Sequence, residues 1–378
     1  MTEQFTGTAE TAPRGVRRMV FHALAWCAAC VVLPLLMLAG LELALLAANV
    51  GAPRTPFAKR TWRETTLHVR NPAFFGQFFQ QARDEQSEDV VFAVPEKKAG
   101  DTYRIFVFGG SAAAGWPASG HGFASMLKLQ LEAAYPAADF QVFNCANAGL
   151  NSHVMRATAA ACVKLQPDLF IVYMGNNEFL GPFGRLAVGR FGSAPPAWLA
   201  AWMVRARGTR LAQLLASAAP GNGPRIYPDR EPGVRQRTPG TPFVDRVRAN
   251  FASNLEAICR AGRAAGADVL LSTVAVNLRD WPPEDSRHFK DLGQEERAEW
   301  ETLFERGRKA QADGKYREAL DAYTKALEID DTYAELHYLA GECFHYYSEY
   351  DLAKKHFEQA AVYDNYTWAR CKPFLRAF

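Results

Sequence analysis

Hydrophobic and polar positions divide the chain into stretches of different texture. From Met19 to Leu41 every position except His22 is apolar, a run of 23 residues. That exceeds the ~20 needed to cross the hydrocarbon as a helix, and no polar stripe repeats through it as it would in a buried core helix. Pro34 predicts a kink there, and Glu42 falls at the far end, where a carboxylate reaches headgroups. Arg14, Arg17 and Arg18 precede the run and no convincing cleavage site follows, the arrangement of an uncleaved signal anchor. Arg54, Lys59, Arg60 and Arg63 follow closely, so basic residues alone do not set the sidedness. The expected orientation has the N-terminus inside and the bulk of the chain outside the cytoplasmic membrane, in the periplasm, as a single-pass protein.

Residues 51–100 mix Pro, charge and aromatics without a sustained period and read as a connector. From Tyr103 onward, runs that are apolar throughout alternate with Ala/Leu-rich helical stretches. Strands are predicted at Tyr103–Phe108, Phe140–Phe143, Leu169–Met174 and Asp268–Val274, and helices at Gly122–Ala134, Val154–Leu165 and Val244–Ala265. Apolar strands separated by helices predict a parallel sheet covered on both faces. The Gly-, Pro- and Arg-rich stretch 181–243 reads as a long excursion above the sheet, where loops shape substrate sites.

After Trp300 a repeat appears. Gly307, Tyr316, Ala319, Tyr323, Ala326 and Asp330 recur 34 positions on as Gly341, Tyr350, Ala353, Phe357, Ala360 and Asp364. This is the period of tetratricopeptide helix pairs, in which small residues let helices approach and aromatics fill the gap. Two repeats bury little alone, so the pair is expected to lean on the sheet domain. It serves either as a helical prop or as a groove for a peptide or protein partner. The chain thus divides into a tail (1–18), a span (19–48), a connector (49–100), an α/β domain (101–290), two repeats (291–366) and a tail (367–378).

With 49% apolar and 22% charged residues, the chain is neither disordered nor a polytopic membrane protein. A net charge of +3 gives no basic field for nucleic acid. Seven scattered cysteines make no disulfide scaffold or zinc cluster, and Cys27 and Cys30 spell C-x-x-C only inside the apolar run. No metal or cofactor is expected.

Chemistry gathers at three predicted strand ends. The first runs into Gly109-Gly110-Ser111, the second into Asn144-Cys145-Ala146-Asn147-Ala148-Gly149, the third into Gly175-Asn176-Asn177-Glu178. In an open α/β sheet ligands sit at carboxyl ends of strands. A hydroxyl opening a helix, a glycine presenting its N–H and a side-chain amide at neighbouring ends describe an acyl-transfer site. Gly109-Gly110-Ser111 lacks the glycine spacing and the lysine of nucleotide-binding loops.

These blocks resemble those of the SGNH/GDSL hydrolase superfamily, with glycine for aspartate in the first and glutamate ending the third. More narrowly, Arg104 to Pro117, Tyr173 to Phe179 and the repeats resemble a bacterial branch of membrane-anchored SGNH proteins carrying tetratricopeptide repeats. The resemblance covers residues 70–365. It implies a three-layer, flavodoxin-like parallel sheet, Ser111 as nucleophile, and an oxyanion hole built by the Gly149 amide and the Asn177 side chain. The implied activity is that of an esterase, deacylase or O-acyltransferase on small esters or acylated envelope glycans.

The D-x-x-H block that supplies the superfamily's base is not found. Fourteen residues follow Asp364, none of them histidine and too few to supply a strand, a loop and a closing helix. A serine hydroxyl needs a positioned base. His288, on a loop after the fourth strand, and His153, after Gly149, are the candidates. The open readings are a shortened copy of a longer enzyme, a degenerate member that keeps a ligand pocket, and a site completed by a partner or an unusual histidine. A non-catalytic binding or scaffold protein is the alternative to the enzyme.

Overall fold

The computed structural model describes residues 19, 22, 25–26, 28–52, 54–78, 92–115, 119–179, 181–184, 194–218 and 240–365. Arg14, Arg17, Arg18, Cys27 and the tail 367–378 lie outside these. The elements begin with α1 (Leu33–Ala47), β1 (Phe57–Trp62), β2 (Thr65–Arg70), α2 (Pro72–Phe75) and β3 (Ala93–Pro95). The sheet region contains β4 (Thr102–Gly109), α3 (Ser111–Ala114), α4 (Phe123–Ala134), β5 (Asp139–Asn144), α5 (Ser152–Cys162) and β6 (Leu169–Tyr173). Next come α6 (Ala197–Arg207), α7 (Arg210–Ala218), α8 (Pro242–Ala264) and β7 (Asp268–Ser272). The chain closes with α9 (Gln294–Ala312), α10 (Tyr316–Ile329), α11 (Ala334–Tyr346) and α12 (Tyr350–Tyr363). They fall into two compact units, Met1–Pro53 with Arg207–Pro220, and Arg54–Ala206 with Gly221–Phe378.

In the first unit, Ala29–Ala47 is a 19-residue helix apolar enough to cross a membrane, a property that a signal sequence shares. The irregularity expected at Pro34 takes the form of a π-helical turn over Ala28–Val32. Pro34 itself sits in the first turn of α1, and the π turn absorbs its missing donor. The Glu42 carboxylate accepts the amide N–H groups of Arg210 (2.8 Å) and Leu211 (2.9 Å), which open α7.

In the second unit, the stretch read as a connector forms an antiparallel sheet in the order β1-β2-β3. Phe57 pairs with Arg70 and Trp62 with Thr65 around a tight turn at Arg63. Only Phe57 of β1 is buried, stacked on Phe92, so the strand carries no alternation a sequence reader could find.

The main sheet is wholly parallel in the order β5-β4-β6-β7. Its centre, β4, is buried at every position except Tyr103, as a strand covered on both faces must be. Phe106, Phe108, Phe170 and Val172 form one face, packed against residues of α5 and α8. Ile105, Val107 and Ile171 form the other, packed with Ala113 of α3 and Ala124 of α4. Among the described residues β7 pairs with β6 alone, leaving Leu270 and Leu271 53% and 50% exposed.

The repeats are two antiparallel helix pairs, α9–α10 and α11–α12. A Cβ on Gly307 would stand 2.3 Å from the Tyr323 ring, and one on Gly341 would stand 2.9 Å from Phe357. The 34-residue recurrence of Gly and aromatic is therefore one packing device used twice. Residues 279–290 run against the repeats. Buried Asp330 meets His288 Nδ1 at 2.6 Å, and buried Asp364 accepts the Glu284 and Asp285 amides. The repeats thus lean on the α/β part of the same unit through the aspartate that ends each of them.

Candidate active site

Strand β4 delivers Gly109, Gly110 and Ser111 at its carboxyl end, and Ser111 opens the short helix α3 behind the extended Gly110. Both glycines are required by crowding. A Cβ on Gly109 would lie 2.2 Å from the Tyr173 carbonyl oxygen and 2.4 Å from the Ala113 methyl. A Cβ on Gly110 would lie 2.5 Å from Asn177 Nδ2 and 3.4 Å from the Leu150 carbonyl oxygen. The residue before Ser111 therefore touches the turns after β5 and β6 at once.

Asn177 Nδ2 donates to the Leu150 carbonyl at 2.8 Å, which fixes its carboxamide beside Gly110 and leaves its second N–H to point elsewhere. Gly149 sits at φ +71°, in the left-handed region that favours glycine. Its amide has no acceptor among the described residues. The loop leading to Gly149 is stitched to the turn that carries Ser111. Asn147 N–H donates to the Gly109 carbonyl at 3.2 Å, and Asn144 Nδ2 to that of Ala113 at 2.9 Å.

Beneath lies a buried polar layer. The Glu178 carboxylate, directly after Asn177, accepts the Ser152 amide at 3.0 Å and its hydroxyl at 2.7 Å. Asn254 Nδ2 donates to Ser152 Oγ and to His153 Nδ1, both at 3.0 Å. Burial pushes the Glu178 carboxyl up to about 7, against the Ser152 donors that favour the ion. Glu178 thus bolts the turn bearing Asn177 onto the start of α5, three residues after Gly149.

Neither candidate base bonds the Ser111 hydroxyl. His153 is buried with its ring edge on Phe183, and Nδ1 accepts from Asn254. Burial first, and the Arg156 charge second, push it down to about 4. His288 is engaged by Asp330 and packs on Trp300 and Tyr333 of the repeats. Among the described residues, no side chain hydrogen-bonds Ser111 Oγ.

Sequence reasoning passed over Arg70. Its guanidinium, packed on Phe75 and Phe92, donates to the carbonyls of Asn144 (2.6 Å) and Ala146 (3.1 Å). It pins the end of β5 from the antiparallel sheet, and nothing in the local sequence of β2 marks it. No cluster of three potential metal ligands occurs among the described residues.

Residues 300–333 match the family model of the tetratricopeptide repeat. A comparison with curated proteins gave no significant match. Among solved structures, the chain is similar to TesA at 19% identity over 46% of this chain, with a TM-score of 0.25. That match spans 61% of the TesA chain, less than two thirds of its length. An alpha/beta hydrolase from the metagenome of Lake Arreo, Spain, matches at 17% identity, covering 48% of this chain and 79% of its own, with a TM-score of 0.23. A variant of the acetyl xylan esterase Axe2 from Geobacillus stearothermophilus matches at 13% identity, covering 48% and 78%, with a TM-score of 0.24.

Proposed function

We propose that this chain is a membrane-anchored serine hydrolase of SGNH type, acting on an oxygen ester such as an O-acyl group of an envelope glycan or a small ester. Its α/β domain faces the periplasm, and its repeats hold a peptide or protein partner. In this reading Ser111 Oγ attacks the ester carbonyl and gives its proton to a base supplied by a partner or by residues outside those described, which passes it to the leaving alcohol, while the Gly149 amide and the second N–H of Asn177 stabilise the oxyanion. The observation that carries the reading is the meeting of three strand ends at Gly110, where Asn177 and the Leu150 carbonyl lie against the residue preceding the nucleophile. A fluorophosphonate probe is expected to label the intact protein and not Ser111→Ala. Equal labelling of both rejects the assignment.

A second reading, a binding or scaffold protein that keeps the pocket, is favoured by one observation: His288 and His153 are both committed elsewhere. It predicts no hydrolysis of a simple acetyl ester above the Ser111→Ala control. A serine-dependent rate removes it.

A further inference from the structure

Two sulfurs meet in the core behind the second strand end. Cys145 Sγ and Cys162 Sγ lie 3.8 Å apart, and the two residues are 1% and 0% exposed. Both belong to the apolar core that also holds Phe106, Val154 and Leu165. Cys30, Cys259 and Cys343 have no sulfur neighbour among the described residues. As thiols, Cys145 and Cys162 give each other only a weak S–H···S contact.

Their positions give the pair a consequence. Cys145 follows Asn144, whose carbonyl is held by Arg70 and whose side chain holds the Ala113 carbonyl. The Cys145 N–H itself donates to the Val107 carbonyl at 2.8 Å. Cys162 is the last residue of α5. The two are 17 positions apart, and the stretch they bracket carries Gly149, Ser152 and His153. To reach the ~2 Å of a disulfide, each sulfur moves about 1 Å.

We propose that Cys145 and Cys162 are a disulfide site, in which one bond closes the stretch carrying the oxyanion amide onto the end of α5. The role of Gly149 and the supply of oxidant rest on the periplasmic hydrolase reading. The oxidant is itself a disulfide, small or protein-borne. One cysteine thiolate attacks it and expels a thiol, and the second thiolate attacks the mixed disulfide and expels the other. The two protons and two electrons that the cysteines lose leave with the oxidant as two thiols. Burial pushes the Cys162 thiol up and the adjoining Cys145 thiol pushes it further, so in the packed core it is protonated and inert. Exchange therefore belongs to folding, before α5 closes over the sulfurs, and the same burial then shields the bond from reductants.

The test uses the full chain, solubilised from its membranes with N-ethylmaleimide present to cap free thiols. Arg156 lies between the two cysteines, so trypsin releases them on separate peptides unless they are bonded. A second sample is synthesised cell-free into phosphatidylcholine vesicles in oxidised glutathione, which supplies the oxidant whatever the native compartment. The expected mass spectrum of both samples contains the two peptides joined, lighter than their sum by two hydrogens, and reduction separates them. Joining only in the glutathione sample upholds the site and overturns the periplasmic placement. Joining in neither overturns the site and leaves the pair as core packing. Reduction of the joined protein is expected to lower the melting temperature of the second unit by about 5–10 °C, with Cys162→Ala unmoved by the reductant. A joined pair without that shift overturns the lock. None of these readouts uses Ser111, whose fluorophosphonate labelling reports the hydrolase reading separately.

Discussion

At the residue scale, the site is organised by one buried carboxyl. Glu178 lies in a fully enclosed layer and holds the Ser152 amide and hydroxyl, so it ties together the two turns that carry Asn177 and Gly149. Its carboxyl is raised from 4.5 to about 7 by desolvation. Between those values the folded protein binds more protons than the unfolded chain, so stability falls as pH rises through the window. Above about 7 the full cost applies, about 3 kcal/mol at ~1.4 kcal/mol per unit. Glu178→Gln removes the titration and keeps an acceptor for the Ser152 amide. Denaturant unfolding of the variant is expected to lose this fall between pH 4.5 and 7 and to gain up to about 3 kcal/mol at pH 8. An unchanged pH slope contradicts the assignment. Glu178 was legible only as the last letter of a motif. That it is enclosed, and that Asn254 and His153 complete its layer from two helices, required coordinates.

At the element scale, the repeats were the most legible part because their packing is periodic in sequence: Gly307 against Tyr323 and Gly341 against Phe357 are the same contact 34 residues apart. The antiparallel sheet β1–β3 was illegible for the opposite reason, since Lys59, Arg60 and Thr61 of β1 show no alternation. The helices α6 and α7 hid in the excursion because their apolar residues are split between inside and outside: Ala200 and Val204 of α6 are buried while Trp198, Trp202, Leu214 and Leu215 are exposed.

Within the second repeat, α11 and α12 meet at a histidine pair, His337 Nδ1 and His356 Nδ1, 3.1 Å apart. His337 Nε2 faces the Asp331 carbonyl at 2.7 Å and must donate to it, so its Nδ1 is the acceptor and His356 the donor. The contact is made while the pair is neutral. Burial, then its partner's charge, push His356 down to about 4, and burial lowers His337 against the pull of Asp331 and Asp330. The unfolded chain therefore binds more protons below pH 6.5, and stability drops as pH falls from 6.5 toward about 4. His356→Asn keeps an N–H donor without the titration. Because His356 is half-buried and partly screened, the variant is expected to recover about 1 kcal/mol of the acid loss, read by thermal unfolding at pH 4.5 and 7.5. Equal acid loss in both proteins contradicts this.

At the scale of the whole second unit, a parallel sheet and the leaning of the repeats were both expected from sequence, but the means of attachment was not. The aspartates at 330 and 364 are equivalent repeat positions, and each is fully buried on the segment that follows β7. One takes an imidazole, the other two backbone amides, so identical repeat letters perform different local chemistry. The same segment holds His288 in this attachment, and its imidazole makes no bond to Ser111. Cutting the attachment tests this division of labour. Asp330→Ala leaves the His288 imidazole and the Thr332 amide without their buried partner, a loss of about 3 kcal/mol for a pair of this kind. Because the contact joins the repeats to the α/β part, the loss is expected to uncouple them. Calorimetry is expected to show one transition of the second unit in the natural protein and, in the variant, an earlier step for the repeats and a later one for the sheet. Ser111 labelling should persist up to the second step. A single transition, merely shifted downward, would mean that the two parts cohere through other contacts and that His288 is not tied down chiefly by Asp330.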